Sequence, residues 1–183
     1  MSTTATFRLD NGYFRVDFRD GFVSSLCPGV KTLGKTDTEF VHPETSVICT
    51  EDILYMFNRN DRRKVPLVYI SEDYGETWSD AKTYDIPCIP SKIYCGSLSD
   101  GRHYLICNTE KLNRNKLEIY FTNDKSVKFT KKLTLFDTDE DMWGGMHYPA
   151  AYEYNGYLYV IATKGYENGA RGAELFKISL EEI

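Results

Sequence analysis

One turn motif occurs twice in this chain and limits what it can fold into. Ser71-Glu72-Asp73-Tyr74-Gly75-Glu76-Thr77-Trp78 returns in worn form as Thr122-Asn123-Asp124-Lys125-Ser126-Val127-Lys128-Phe129. Both fit one template: hydroxyl, any residue, Asp, any residue, small residue, two more, aromatic. Each follows an apolar run of strand character, Leu67-Val68-Tyr69-Ile70 and Leu117-Glu118-Ile119-Tyr120-Phe121. A turn that recurs after the same kind of run, about fifty residues on, marks a repeated unit of about four strands.

Three segments align on this period. The first runs from His42-Pro43-Glu44 through Ser46-Val47-Ile48-Cys49, turns at Glu51-Asp52, and continues as Ile53-Leu54-Tyr55-Met56-Phe57. The second starts at Ile89-Pro90-Ser91, turns at Asp100-Gly101 and continues as His103-Tyr104-Leu105-Ile106-Cys107. The third starts at His147-Tyr148-Pro149, turns at Asn155-Gly156 and continues as Tyr157-Leu158-Tyr159-Val160-Ile161. Asp-Gly and Asn-Gly between apolar runs predict hairpins whose two central residues both take positive φ. Third strands follow at 67–70, 117–121 and 175–178. Fourth strands are predicted at 82–86 and 132–136, and the third unit ends before one. Residues 1–41 hold a further hairpin around Asn11-Gly12. The reading is all-β: about three and a half four-stranded antiparallel units in one partial propeller. A remnant covers 1–41, and blades span about 42–88, 89–141 and 142–183.

Composition agrees and narrows function. The 14 tyrosines suit pleated, half-buried surfaces, and no capped stripe at helical spacing is present. A formal charge of −5 argues against a basic nucleic-acid face, so an anionic ligand must be met by a few placed cations. Cys27, Cys49, Cys88, Cys95 and Cys107 are odd in number and form no CxxC pair. They read as reduced core thiols, with a disulfide or a metal site as alternatives. The acidic stretch from Asp137 to Asp141 lacks the glycine and terminal glutamate of a calcium loop and reads as solvated, so no metal or cofactor is expected. No apolar segment has the length of a signal-peptide core or a membrane span, so a soluble chain is expected. A signal for secretion or periplasmic export belongs to any upstream segment.

The motif itself is read as structural. The carboxylates of Asp73 and Asp124 can accept amides of their own turns, with Ser71, Thr77 and Thr122 bonding nearby. Gly75 supplies the unusual φ, and Trp78, or Phe129 in the copy, supplies the aromatic. It closely resembles the Asp box of BNR repeats in sialidase (neuraminidase) propellers, where the box lies away from the catalytic face. The resemblance covers about residues 40–183 and implies the C-terminal half of such a protein.

The resemblance extends to an ordered set. Glu44 opens an innermost strand and Arg59 ends the next, as in the sialidase blade that holds the glutamate partner of the nucleophile. Arg114 stands where the family keeps another substrate arginine, and Tyr148 where it keeps its nucleophilic tyrosine. The resemblance therefore implies Tyr148 and Glu44 as catalytic residues and Arg59 and Arg114 as substrate-binding ones. Trp143, beside two glycines, is a candidate for stacking on a sugar or for anchoring its loop. Such residue types suit sialic acids, whose anomeric carbon carries a carboxylate that arginines bind bidentately. A neutral phenol avoids the repulsion a carboxylate nucleophile would meet, and a glutamate can take its proton. Each residue also has a plainer reading: Glu44 as a solvated loop carboxylate, Arg59 and Arg114 as surface cations, Tyr148 as packing between blades. The family's early Arg-Ile-Pro arginine and acid/base aspartate have no counterpart here, where the nearest text is Phe14-Arg15-Val16-Asp17. The expectation is a sialidase-like glycoside hydrolase propeller, inactive as this chain alone, with a glycan as its partner. The alternatives are a non-catalytic carbohydrate- or protein-binding propeller, or a truncated fragment. Exposed blade edges are expected to invite self-association.

Overall fold

The structure is a computed structural model. It describes residues 44–110, 113–139, 145–166 and 168–183, and before them the backbone of 4–9, 12–17 and 22–26. Contacts divide the chain into two units, Met1–Leu33 and Gly34–Ile183. In the first, β1 (Thr4–Leu9), β2 (Gly12–Asp17) and β3 (Phe22–Leu26) form an antiparallel sheet in chain order. Leu9 pairs with Gly12, which puts a hairpin at the predicted place.

The second unit holds three antiparallel sheets, again in chain order. One has β4 (Thr45–Cys49), β5 (Leu54–Asn58), β6 (Leu67–Ser71) and β7 (Lys82–Thr83). The next has β8 (Tyr94–Ser97), β9 (His103–Asn108), β10 (Lys116–Thr122) and β11 (Phe129–Asp137). The last has β12 (Met146–Tyr154), β13 (Tyr157–Gly165) and β14 (Arg171–Ser179). These are propeller blades, and the described residues contain no helix, hence none long and apolar enough to cross a membrane.

Blades packed on both faces of a sheet explain the core. A strand facing neighbours on both sides is buried at every position, as all six residues of β9 are. Between the first two blades Ile48, Phe57 and Val68 meet Ile93, Cys95, Leu105, Cys107 and Tyr120. Between the second and third, Ile106, Ile119 and Phe121 meet Met146, Leu158 and Val160. The innermost strands are pinned by hydroxyls: Ser46 Oγ donates to Cys95 O at 3.1 Å and accepts its amide at 3.0 Å. Tyr94 Oη donates to Ala151 O at 3.2 Å. Among the described residues the cysteines are free: Cys88, Cys95 and Cys107 are buried, while Cys49 is exposed. Burial pushes the Cys95 thiol up to about 12, so it stays a neutral packing group.

Two local readings need correction. Asn155 and Gly156 both take positive φ (49° and 77°), as the Asn-Gly hairpin requires. At Asp100-Gly101 only the glycine does, with φ 89°. There Leu98 N–H donates to Arg102 O at 2.7 Å and Gly101 N–H to Leu98 O at 3.0 Å, a three-residue loop with a left-handed glycine. The fourth strand predicted at 82–86 stops at Thr83. Beyond it Ile86, Cys88 and Ile89 are buried, and the Cys88 amide bonds Lys64 O at 2.9 Å. Burial between blades wins over continued pairing at the edge.

The two turn motifs differ in geometry. In the first, Ser71 Oγ donates to Asp73 Oδ1 at 2.8 Å and accepts Gly75 N–H at 2.8 Å. Asp73 Oδ1 takes Thr77 N–H at 2.7 Å, Asp73 Oδ2 takes the Thr77 hydroxyl, and Trp78 Nε1–H donates to Gly75 O at 3.0 Å. Tyr74 and Gly75 both lie at positive φ, 57° and 93°. In the copy no described residue from 122 to 129 does. Thr122 Oγ1 instead accepts His103 N–H at 2.8 Å and donates to Asp124 O at 2.7 Å, while the Asp124 carboxylate takes the amide of Ser126 at 2.8 Å and is bonded by the Ser126 side chain. Phe129 leaves its turn to meet Phe57 and Tyr84 edge-on at 6.1 and 5.9 Å. Asp73→Ala is therefore expected to cost about 1–2 kcal/mol in urea unfolding, and Asp124→Ala less. Equal losses would contradict this ranking.

Glu118, within the apolar run of β10, is 1% exposed. It accepts Thr109 Oγ1 and Tyr120 Oη, both at 2.9 Å, and Lys132 Nζ at 3.1 Å. Burial works against its charge, yet the bonds from Lys132, Thr109 and Tyr120 outweigh it and hold the carboxyl below the ordinary glutamate range.

Candidate functional site

Both motif turns and the turns after β4, β8 and β12 lie at one end of their sheets. The other end carries the starts of β4 and β12 and the loops after β5 and β9, and there the sequence-read residues gather. Glu44 directly precedes β4 and Arg59 directly follows β5. Antiparallel pairing of Thr45 with Asn58 makes them neighbours. Arg59 N–H donates to Glu44 O at 3.1 Å, and Arg59 Nη1 to Glu44 Oε2 at 2.9 Å. Arg59 Nε is 2.8 Å from Asp61 Oδ1, with the N–H not aimed along the contact. Two carboxylates thus balance this guanidinium.

Tyr148 has φ 52° and is 52% exposed. It sits where the pairing of β12 with β13 slips between His147 and Ala150. A bulky residue at positive φ costs on the order of 1–2 kcal/mol, and the following Pro149 further disfavours any but an extended conformation. Its ring meets His147 edge-on at 5.1 Å, and Lys92 Nζ stands 5.7 Å from its centroid. Arg114 also has positive φ, 64°. Its carbonyl takes the amide of Met146 at 2.9 Å, tying its loop to the strand that bears Tyr148. Glu44 bonds Arg59, not Tyr148. Trp143 lies outside the described residues.

Asn108, which the sequence reading missed, joins these parts. Fully buried, it takes the Ser91 hydroxyl on Oδ1 at 2.8 Å. Its Nδ2 donates to Met146 O at 2.8 Å and Lys116 O at 3.1 Å, with Arg114 O at 3.4 Å. One amide so fixes the lead-in to β8, the loop of Arg114 and the start of β12. Asn58 ends β5 as Asn108 ends β9, a repeat signal that could have found it. Gly145 (φ 56°) completes the junction: a methyl there would lie 2.5 Å from Arg114 O. Among the described residues no cluster of His, Cys, Asp or Glu is placed to hold a metal.

This arrangement of blades matches a known family. Residues 29–160 match the BNR repeat-like domain. The chain belongs to the BNR repeat-like family. No curated protein matches the sequence. Among solved structures, the Hadza microbial sialidase Hz136 is 15% identical with a TM-score of 0.58, over 76% of this chain and 28% of that one. The GH43 β-1,3-galactosidase BT0265 is 15% identical with a TM-score of 0.60, over 88% and 37%. A mutant of the Trypanosoma rangeli sialidase, displaying trans-sialidase activity, is 16% identical with a TM-score of 0.52, over 74% and 22%. At these identities the likeness is one of fold. This BNR repeat-like chain spans between 22% and 37% of those three proteins' lengths.

Proposed function

We propose that this chain is part of a sialidase-like glycoside hydrolase that removes a terminal sialic acid or related acidic sugar. Tyr148 is the nucleophile, Glu44 its base, and Arg59 and Arg114 bind the substrate carboxylate, with Trp143 beside the sugar. The carrying observation is Tyr148: a tyrosine held half-exposed at φ 52° before a proline, where packing alone would favour a relaxed backbone. Its phenol attacks the anomeric carbon as the Glu44 carboxylate takes the phenolic proton, and the aglycone oxygen departs with a proton from an acid group. The similarity to a sialidase fold supports the substrate class. The similarity to a β-1,3-galactosidase makes a neutral galactoside the control.

The test is turnover of a fluorogenic sialoside, beside the matching β-galactoside, by this chain and by the longest natural reading frame that contains it. Release from the sialoside alone supports the proposal. Release from the galactoside alone, or from neither, refutes it. A second reading, a non-catalytic carbohydrate-binding propeller, is favoured by the Glu44–Arg59 pair, which occupies the base. Binding on a glycan array without turnover supports that reading.

A further inference from the structure

Two of the cysteines face each other across a seam between blades. Cys88 lies in the connection from β7 to β8, and Cys107 is the last residue but one of β9. Both belong to one apolar core cluster, at 2% and 0% exposure. Contacts on either side hold the two stretches of chain together. Before Cys88, Pro87 O lies 3.6 Å from Cys107 Sγ. After it, Ile89 N–H donates to Asn108 O at 2.9 Å. Between these contacts the Cys88 and Cys107 thiols hydrogen-bond one another.

A disulfide needs side chains that converge, and two thiols that bond each other already do. The other described cysteines are placed differently: Cys95 has the Ser46 hydroxyl as its partner, and Cys49 is exposed. The bond to Cys88, together with burial, pushes the Cys107 thiol well above its ordinary range. Only a thiolate attacks a disulfide, so the closed seam protects the pair. A reagent reaches it while the seam is still open, as the chain folds.

We infer that Cys88 and Cys107 are a modification site, which closes to a disulfide when the chain folds in a medium that supplies a small disulfide as oxidant. One cysteine thiolate attacks the small disulfide, forming a mixed disulfide and releasing one small thiol. The second cysteine thiolate attacks the mixed disulfide at the protein sulfur and releases the other small thiol. The two cysteines lose two protons and two electrons, and the small disulfide takes them up. The loop so closed carries β8 and the turn after it. The bridge also stands next to Asn108, whose side chain bonds Ser91, Lys116 and Met146. It adds a covalent tie where that amide supplies hydrogen bonds alone. None of this depends on the glycosidase reading.

The experiment refolds the fully reduced chain from urea, once in a buffer of oxidised and reduced glutathione and once in dithiothreitol. Free thiols are then alkylated, and cross-links are mapped by mass spectrometry of peptides. The glutathione sample is expected to show one cross-link, joining Cys88 to Cys107, and the dithiothreitol sample none. The urea midpoint of the cross-linked protein should exceed that of the reduced protein by about 1 M. Cys88→Ala should show no cross-link and the same midpoint in both buffers. If that variant does not fold, the wild-type map and midpoints decide. A cross-link between any other pair, no cross-link at all, or a cross-linked protein no more stable than the reduced one overturns the inference.

Discussion

Glu118→Ala is expected to destabilise the protein by about 2–4 kcal/mol, measured as a lowered urea midpoint at pH 7. The loss comes from the groups left behind. Thr109 and Tyr120 would keep buried hydroxyls without their acceptor, and Lys132 would lose its bond. The Lys132 side chain is 53% exposed and can rehydrate, so the loss stays below that of a fully buried charge pair. A pH dependence accompanies it. The folded carboxyl titrates below the unfolded one, whose ordinary value is about 4.3. Its stabilisation is therefore complete above the unfolded value and is lost as pH falls from there through the folded value. The gap in stability between wild type and Glu118→Gln should be largest at neutral pH and should narrow below about pH 4. A gap that widens on acidification would contradict a lowered value.

Tyr148→Phe is expected to remove turnover by on the order of 10³-fold or more, as loss of a nucleophile does, in whichever natural form hydrolyses the sialoside. Melting should hardly change, because the hydroxyl has no described partner. Tyr148→Gly sharpens the test. Glycine tolerates φ near 52° without the penalty a tyrosine carries, so this variant should lose turnover yet gain about 1 kcal/mol of stability. A Tyr148→Phe protein as fast as wild type would end the nucleophile assignment. A Tyr148→Gly protein that unfolds more readily would show that the ring's packing, not backbone strain, sets the energetics of this bulge.

The sequence made the blades legible because each signal was local. Asn155-Gly156 carries its own hairpin in two residues, and residues 71–78 carry a whole turn. Glu44 and Arg59 could be placed opposite one another because a strand, a turn and a strand of known length join them. What needed tertiary context was not visible. The shortened β7 follows from Ile86 and Cys88 turning into the space between blades, a choice made by the neighbouring sheet. Asn108 finds carbonyls on two separate stretches of chain and the Ser91 hydroxyl on a third, and Glu118 looks like a stray polar residue in an apolar run until its four donors surround it. The charge of Arg59 was legible and its neutralisation was not, because Asp61 belongs to the same loop and its approach depends on how that loop closes.

Strand order follows chain order in every sheet, and this bears on how the protein assembles in time. No hairpin has to wait for a segment made much later, so each sheet can zip up as its strands leave the ribosome, with short loops to close. The slow step then falls to the seams between sheets, where Ser46 and Tyr94 must find carbonyls on the next innermost strand. Pulsed hydrogen exchange during refolding should show amides within the blades protected early, and the Cys95 amide, whose acceptor is the Ser46 hydroxyl, protected late.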